Sequence, residues 1–371
     1  MTVTNVVGSH PLFPRVSRVV ASVLLEGLPP TPDPPSDPTD WTEAAEDLTR
    51  FRLSALALAV AHKAEIDLSP DTRLRLQKAQ RLDASLSMQA EAAALEVFSL
   101  LEDEAVPFLV NKGPATARFH PDPNLRPYRD IDVLVPPRLF DRALRLLKKT
   151  GFVDLDEKVQ PRGFFSRYCR EGVNLSGGKG SLDLHHVIPP WIWGRRLTFD
   201  VLVQTCEEIK IGARQVPAVG RVDGLLATAL HLLSDRLHPG RELMIWRDVL
   251  AILQHISSAD IASRARESRL AGVLRFILSQ VPPSHQPRAL LEELKDAELS
   301  KSDATRLRKL VSTRASGHQL AYFYRLPLTN SIAFAAGYLF PARRFLRERY
   351  GAKGGQLMRW WVDVFRSVPP A

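Results

Sequence analysis

The stretch Leu125–Pro137, LRPYRDIDVLVPP, constrains the fold more than any other part of the chain. Asp130 and Asp132 are separated by one isoleucine and run straight into Val133–Val135, so the segment reads as a buried strand carrying two carboxylates. Side chains two apart on a strand share a face, and both acids therefore project together. Like charges at that spacing are costly unless a positive group sits between them. Ile131, Val133 and Val135 fall on the opposite face and would anchor the strand in a core. Arg129 also points to that opposite face on a regular strand, so a bound metal rather than this arginine is expected to relieve the pair.

The neighbouring segments supply a framework for this strand. AVPFLVNKG (Ala105–Gly113) is a short apolar run closed by glycine and reads as another buried strand. PPRLFDRALRLLKKTGF then predicts a helix with Leu139, Ala143, Leu146 and Leu147 on one face and Gly151 as its cap. Phe164–Ile188 predicts a hairpin turning at SGGKG, whose second strand, SLDLHHVI, brings a third carboxylate, Asp183. An antiparallel pairing of that strand with DIDVLV would set Asp183 beside Asp130 and Asp132. The glycines of the hairpin do not make a phosphate loop, because Gly178 stands where G-x-x-x-x-G-K-[ST] needs lysine.

Helical periodicity governs the rest. The Pro-rich Gly27–Asp40 is an extended connection; DWTE opens a helix with Asp40 as N-cap and Glu43 completing a capping box. A second helix runs from Ser69–Pro70 to about Glu104, with Leu82, Leu86, Met88, Ala92, Leu95, Phe98 and Leu101 as its apolar positions. From Val222 the chain is again mostly helical. The expected organisation is α+β: residues 1–40 a segment and linker, 41–104 helical, 105–220 a core with a small mixed β-sheet, and 221–371 helical with a basic tail.

Three carboxylates converging on a sheet form a hard-oxygen site suited to Mg²⁺ or Mn²⁺, ions that keep coordination positions open for substrate phosphates. Two such ions, about 4 Å apart, would clamp the attacking and leaving oxygens of a phosphoryl displacement.

With those segments in order, the chain resembles the nucleotidyltransferase fold of the polymerase-beta type. More narrowly, VNKGPA, LRPYRDIDVLV and LDLHHVI look like the K-G, R-x-x-x-D-[IL]-D-x-L-V and D-L-H segments of the bacterial uncharacterised nucleotidyltransferase family, often found near polysaccharide and natural-product biosynthesis genes. The likeness extends to Ala55–Val106, to HLLSDRL and WRDVLAIL, and to LFPARRFLRERYG. It implies an enzyme that moves a nucleoside monophosphate from an NTP, ATP among the candidates, to a small-molecule acceptor. Asp130, Asp132 and Asp183 would be catalytic and hold the metal, and Asp183 would also orient or deprotonate the acceptor. Lys112, Gly113 and Arg126 would serve the triphosphate, with His185 and Asp248 as accessory residues. Pro114, after Gly113, departs from the Gly-Ser or Gly-Gly of the fold and has no N–H to offer phosphate. A protein-modifying, adenylylating or toxin–antitoxin-like transferase and a non-catalytic nucleotide-binding protein of the same fold are the alternatives.

Other features constrain context. Cys169 and Cys206 lack metal-ligand spacing and read as buried small hydrophobes in a reducing cytoplasm. No signal peptide is indicated, and Ser331–Phe340 falls short of the about 20 apolar residues needed to cross a bilayer. Net charge is +9, of which +5 lies between Pro341 and Ala371. This tail, with Phe345, Trp360, Trp361 and Phe365, reads as a basic amphipathic helix packing its aromatics on the body; a peripheral surface or partner contact is the other use, and nucleic acid is not expected. His231, Asp235 and His238 read as core or capping residues, and Asp248 is expected to pair with Arg241 or Arg247.

Overall fold

The computed structural model describes residues 16–29, 31–155, 170–178, 180–235, 242–281, 283, 285–312, 326–351 and 354–366. Four helices lead in: α1 (Arg18–Leu25), α2 (Pro38–Arg50), α3 (Ser54–Lys63) and α4 (Pro70–Asp103). Helix α2 begins three residues earlier than the capping box suggests. Asp37, not Asp40, is its N-cap, accepting from Thr39 N at 2.8 Å, because Pro38 at the first helical position has the right φ and no N–H to satisfy. Asp40 lies in the first turn instead, where its charge still suits the helix dipole.

The sheet elements follow: β1 (Leu109–Val110), a short helix α5 (Pro114–Ala117), β2 (Asp130–Leu134), α6 (Phe140–Lys149), β3 (Val153–Asp154), β4 (Gly172–Gly177) and β5 (Gly180–His185). Short helices α7 (Trp191–Gly194) and α8 (Phe199–Leu202) lead to a hairpin that periodicity did not reveal, β6 (Glu207–Ile211) and β7 (Arg214–Ala218). Its signal is the alternation in EEIKI and RQVPA around Gly212, whose φ of +59° makes the turn. The seven strands form one mixed sheet in the order β3-β4-β5-β2-β1-β7-β6. The α+β class is thus observed directly.

Pairing of β2 with β5 is parallel, which corrects the antiparallel arrangement drawn from the sequence. The strands cannot form a tight hairpin because α6, β3 and β4 intervene, and β4 already occupies the antiparallel edge of β5. The register nonetheless joins Asp132 to Asp183 and Asp130 to Ser181.

Both sheet faces are covered. Ile131, Val133 and Val135, all fully buried, pack with Ala90, Ala94, Val97, Phe98 and Leu101 of α4 and with Ala143 and Leu147 of α6. Leu82 and Met88 of α4 are exposed, so the buried stripe runs instead through Leu76, Ala90, Ala93 and Val97. A strong apolar residue on a long helix does not by itself identify the buried side. On the other sheet face Leu109 and Leu134 join a core shared by α1–α3 and the later helices α9 (Arg221–Asp235), α10 (Glu242–Leu253), α11 (Ser258–Glu267), α12 (Ala271–Leu278), α13 (Arg288–Glu293) and α14 (Lys301–Ser312). Helices from before and after the sheet therefore share one core.

The last helices are α15 (Leu328–Leu339), α16 (Arg343–Tyr350) and α17 (Gln356–Arg366). Among the described side chains, Phe345 packs edge-on to Trp360 at 5.3 Å and Phe340 edge-on to Trp361 at 6.3 Å, within this group in place of the expected seat on the body; the side chain of Phe365 lies outside the described ones. Cys206 is half-buried against the main core. Cys169, Arg241, His238 and the hairpin's start at Phe164 lie outside the described residues.

Candidate functional site

The acidic face of β2 looks toward α9. Asp132 is nearly fully buried, whereas Asp130, one pair nearer the strand's start, is half-buried. Lys112, two residues past β1, brings Nζ to 3.0 Å from Asp132 Oδ1. The same ammonium stands 2.9 Å from Nε2 of His231 on α9. A lysine of the chain itself thus stands against the buried carboxylate, a positive group besides the metal that was expected there in place of Arg129. Burial opposes ionisation of Asp132, yet Lys112 and His185 overcome it and hold the carboxyl far below the usual carboxylate range.

His185 closes the cluster. It follows Asp183 by two on β5 and so shares its face, and Nε2 lies 3.2 Å from Asp132 Oδ1. That separation lacks the alignment of a hydrogen bond, and both ring nitrogens are buried without a hydrogen-bond partner. Ligand atoms of Asp132, Asp183 and His185 lie within 4.8 Å of one another. Two carboxylates and an orphaned imidazole nitrogen turned on one point suit a divalent cation, because coordination would satisfy the nitrogen that the protein leaves bare. The residues present fit such an ion. Asp130 is not among the three.

Asn174 was missed by sequence reasoning, although the hairpin register is its signal: it stands directly opposite Asp183. With its amide nitrogen turned toward that residue, it donates to both carboxylate oxygens at 2.9 and 3.1 Å and fixes their direction. Gly172 sits opposite His185, and a Cβ there would fall 2.3 Å from Nδ1. Gly172→Ala should therefore push the imidazole off the cluster. We expect metal affinity about 10–100-fold weaker, the usual cost of disturbing a ligand's support, with an unchanged far-UV spectrum. Isothermal titration with Mn²⁺ checks this, and wild-type affinity would show that the glycine merely shapes the hairpin.

Gly113 has φ +66° and turns the chain out of β1 into α5, a conformation open to glycine and strained for other residues. Pro114 takes the first position of α5, where its missing N–H is no loss. Arg126 does not reach the cluster as a free cation. It is buried and forks onto Asp248 of α10, Nε to Oδ1 at 3.0 Å and Nη2 to Oδ2 at 2.6 Å. His120 Nε2 adds a third bond to Asp248 at 2.7 Å. The expected partner Arg247 turns away, donating to the Leu24 and Glu26 carbonyls and, at 3.3 Å, to His120 Nδ1. Since Nδ1 accepts there, His120 is neutral with its proton on Nε2, and burial depresses its pKa accordingly. Asp248 is buried too, but Arg126 and His120 more than offset that cost and hold its carboxyl well below normal. Arg126 also feels Asp130 and Asp132, so the acidic face and the Asp248 network are electrically joined.

Helix α4 clips the approach to β2 from the other side. Ser87 Oγ donates to Tyr128 O at 2.8 Å and accepts from its N at 3.0 Å; Tyr128 Oη donates to Glu91, and Arg129 bonds Asp83 at 3.0 Å. Asp83, Ser87 and Glu91 recur every four residues, a polar stripe legible in the sequence but not singled out there.

A family profile described as uncharacterised nucleotidyltransferase matches residues 37–282, more than half of the chain. Among solved structures, one described as an antigenic nucleotidyltransferase-like protein from Paracoccidioides brasiliensis is similar at 18% identity and a TM-score of 0.34, over 59% of this chain and 95% of that one. No curated protein gives a significant match.

Proposed function

The chain belongs to the uncharacterised nucleotidyltransferase family, and from this we propose that it moves a nucleoside monophosphate from an NTP to a hydroxyl or phosphate of a small-molecule acceptor. The acceptor oxygen bonds to the α-phosphorus, the bond to the bridging oxygen breaks, and pyrophosphate leaves. The observation that carries this reading is the β2/β5 register, which pairs Asp132 with Asp183 and brings His185 to the same point. These three residues would hold a divalent cation, Mn²⁺ or Mg²⁺, the imidazole favouring the former. When bound, it supplies charge neutralisation and Lewis acidity to the phosphates.

The chain's own groups do the rest. Lys112, whose side chain is 13% exposed, offers its ammonium to the triphosphate. Arg126, fixed by Asp248, acts through its field rather than by contact. Asp183, aimed by Asn174, orients the acceptor hydroxyl and accepts its proton. Asp130 completes the acidic face beside Asp132, and Gly113 lets the chain turn close to the nucleotide. A small acceptor is supported by the concentration of basic residues in the tail, away from the motif.

The test incubates the protein with Mn²⁺ or Mg²⁺, each of the four NTPs and a small-molecule cell extract. Pyrophosphate release with a product heavier by one nucleoside monophosphate is expected. Label from an α-phosphate-labelled NTP on protein alone would favour the protein-modifying reading, and binding without turnover the non-catalytic one. Metal binding is checked separately by melting. At a concentration about 100 times its dissociation constant, Mn²⁺ should add about 2.7 kcal/mol of stability over EDTA. A His185→Ala variant should lose most of that gain; an equal rise would remove His185 from the metal site.

A further inference from the structure

We infer that α15–α17 form a docking surface for an anionic membrane, an interaction independent of the proposed reaction. Helix α15 contains no charged residue. It turns Ser331, Ala333 and Phe334 inward, each 7% exposed or less. Its other side should be polar if it met only water. Instead Leu328, Ile332, Ala336 and, just past its end, Phe340 recur every four residues on the exposed side, with Leu328, Ile332 and Phe340 between 63% and 68% exposed.

The apolar surface continues onto α17. Trp361 Nε1 donates to Leu339 O at 2.7 Å, and its ring meets Phe340 edge-on at 6.3 Å. Met358 and Val362, 67% and 39% exposed, lie three before and one after that tryptophan. The neighbouring helices α16 and α17 carry the exposed Arg343, Arg347, Arg349 and Arg359. Over residues 326–351 and 354–366, six arginines face two acidic residues, Glu348 and Asp363, leaving +4.

The combination selects the occupant. Exposed apolar surface of this extent marks an interaction site. Exposed apolar side chains together with exposed arginines on the same group of helices match a lipid surface, where the first enter the acyl boundary and the second meet anionic headgroups. Helix α15, with 12 residues, is too short to cross a bilayer, so it lies on the surface. Pairing two copies through this face would bring their exposed arginines together, and like charges oppose that contact. Packing of Phe345, Leu346 and Trp360 holds α16 against α17, and the Trp361 contacts with Leu339 and Phe340 tie α17 to the end of α15, so the patch is preformed.

Co-sedimentation of the full chain with vesicles tests the inference. Vesicles of phosphatidylcholine with phosphatidylglycerol should retain the protein, and pure phosphatidylcholine should retain little. An Ile332→Asn, Phe340→Ser variant changes no charge, and its exposed positions leave the fold intact by circular dichroism. It should bind anionic vesicles at least about ten-fold more weakly. Arg343→Glu with Arg347→Glu should reduce binding similarly, whereas Asp132→Asn should bind as wild type. Wild-type binding by the apolar variant would overturn the inference, since attraction would then come from net charge alone. So would equal binding to neutral vesicles, or a stable dimer that the apolar substitutions split while no vesicle is bound.

Discussion

Asp132→Asn is expected to remove nucleotidyl transfer while leaving the fold in place. The amide keeps the shape of the side chain, so the cores on either side are undisturbed. It removes the charge at which Lys112, His185 and Asp183 converge. The loss in turnover should be at least about 10²-fold, the scale for deleting one electrostatic stabiliser of a transition state. Ile131 and Val133 anchor β2 from the opposite face, so circular dichroism should match wild type. Asp130→Asn should also lose transfer but keep more of the Mn²⁺ stabilisation, because Asp130 lies outside the converging three. Unchanged turnover in Asp132→Asn would sink the catalytic reading of this strand.

The second large effect is on stability. Asp248→Ala strips a buried acceptor from Arg126 and His120 and leaves a buried guanidinium unpaired. Breaking such a pair costs about 3–5 kcal/mol, so a denaturant midpoint should fall steeply. Wild type should also lose stability with acid in two stages. His120 and His186 have pKa values depressed by burial, so the folded state resists protons that the unfolded chain takes up below about pH 6.5. Stability then falls as pH drops through that value toward the folded pKa. Asp132 and Asp248 are depressed as well, and their stabilising share is lost only below about pH 4, the ordinary aspartate range. Urea melts between pH 8 and 4 check the first stage; flat stability across that range would show that His120 is not held neutral.

Legibility varied with the range of the interaction. The DIDVLV strand, the α4 helix, the turn at Gly113 and the hairpin partner SLDLHH were readable because each depends on neighbours within one element. The helix start at Asp37 was misplaced by three residues, since Asp40–Glu43 also satisfies the capping pattern and only the Pro38 geometry separates them. Asp248 gave a correct sense that a buried acid needs a partner, but the partner came from 122 residues away. Sequence proximity pointed to Arg247, whose backbone position on α10 turns it toward α1. His231 looked like a core residue because nothing nearby in the chain shows that Lys112 meets it.

The sequence by itself determined that two carboxylates would share one face of a buried strand, since a period of two admits no other outcome. It also determined that a third acid would sit on a strand of the same sheet region. Tertiary structure decided the rest: that β5 runs parallel to β2, that Asp132 meets Asp183 and His185 rather than Asp130 doing so, and that Lys112 supplies the balancing charge. The reason is that register and direction between strands are set by what else the sheet must pair. Here β4 takes one edge of β5 and leaves the other for β2. No local pattern in RDIDVLV carries that information.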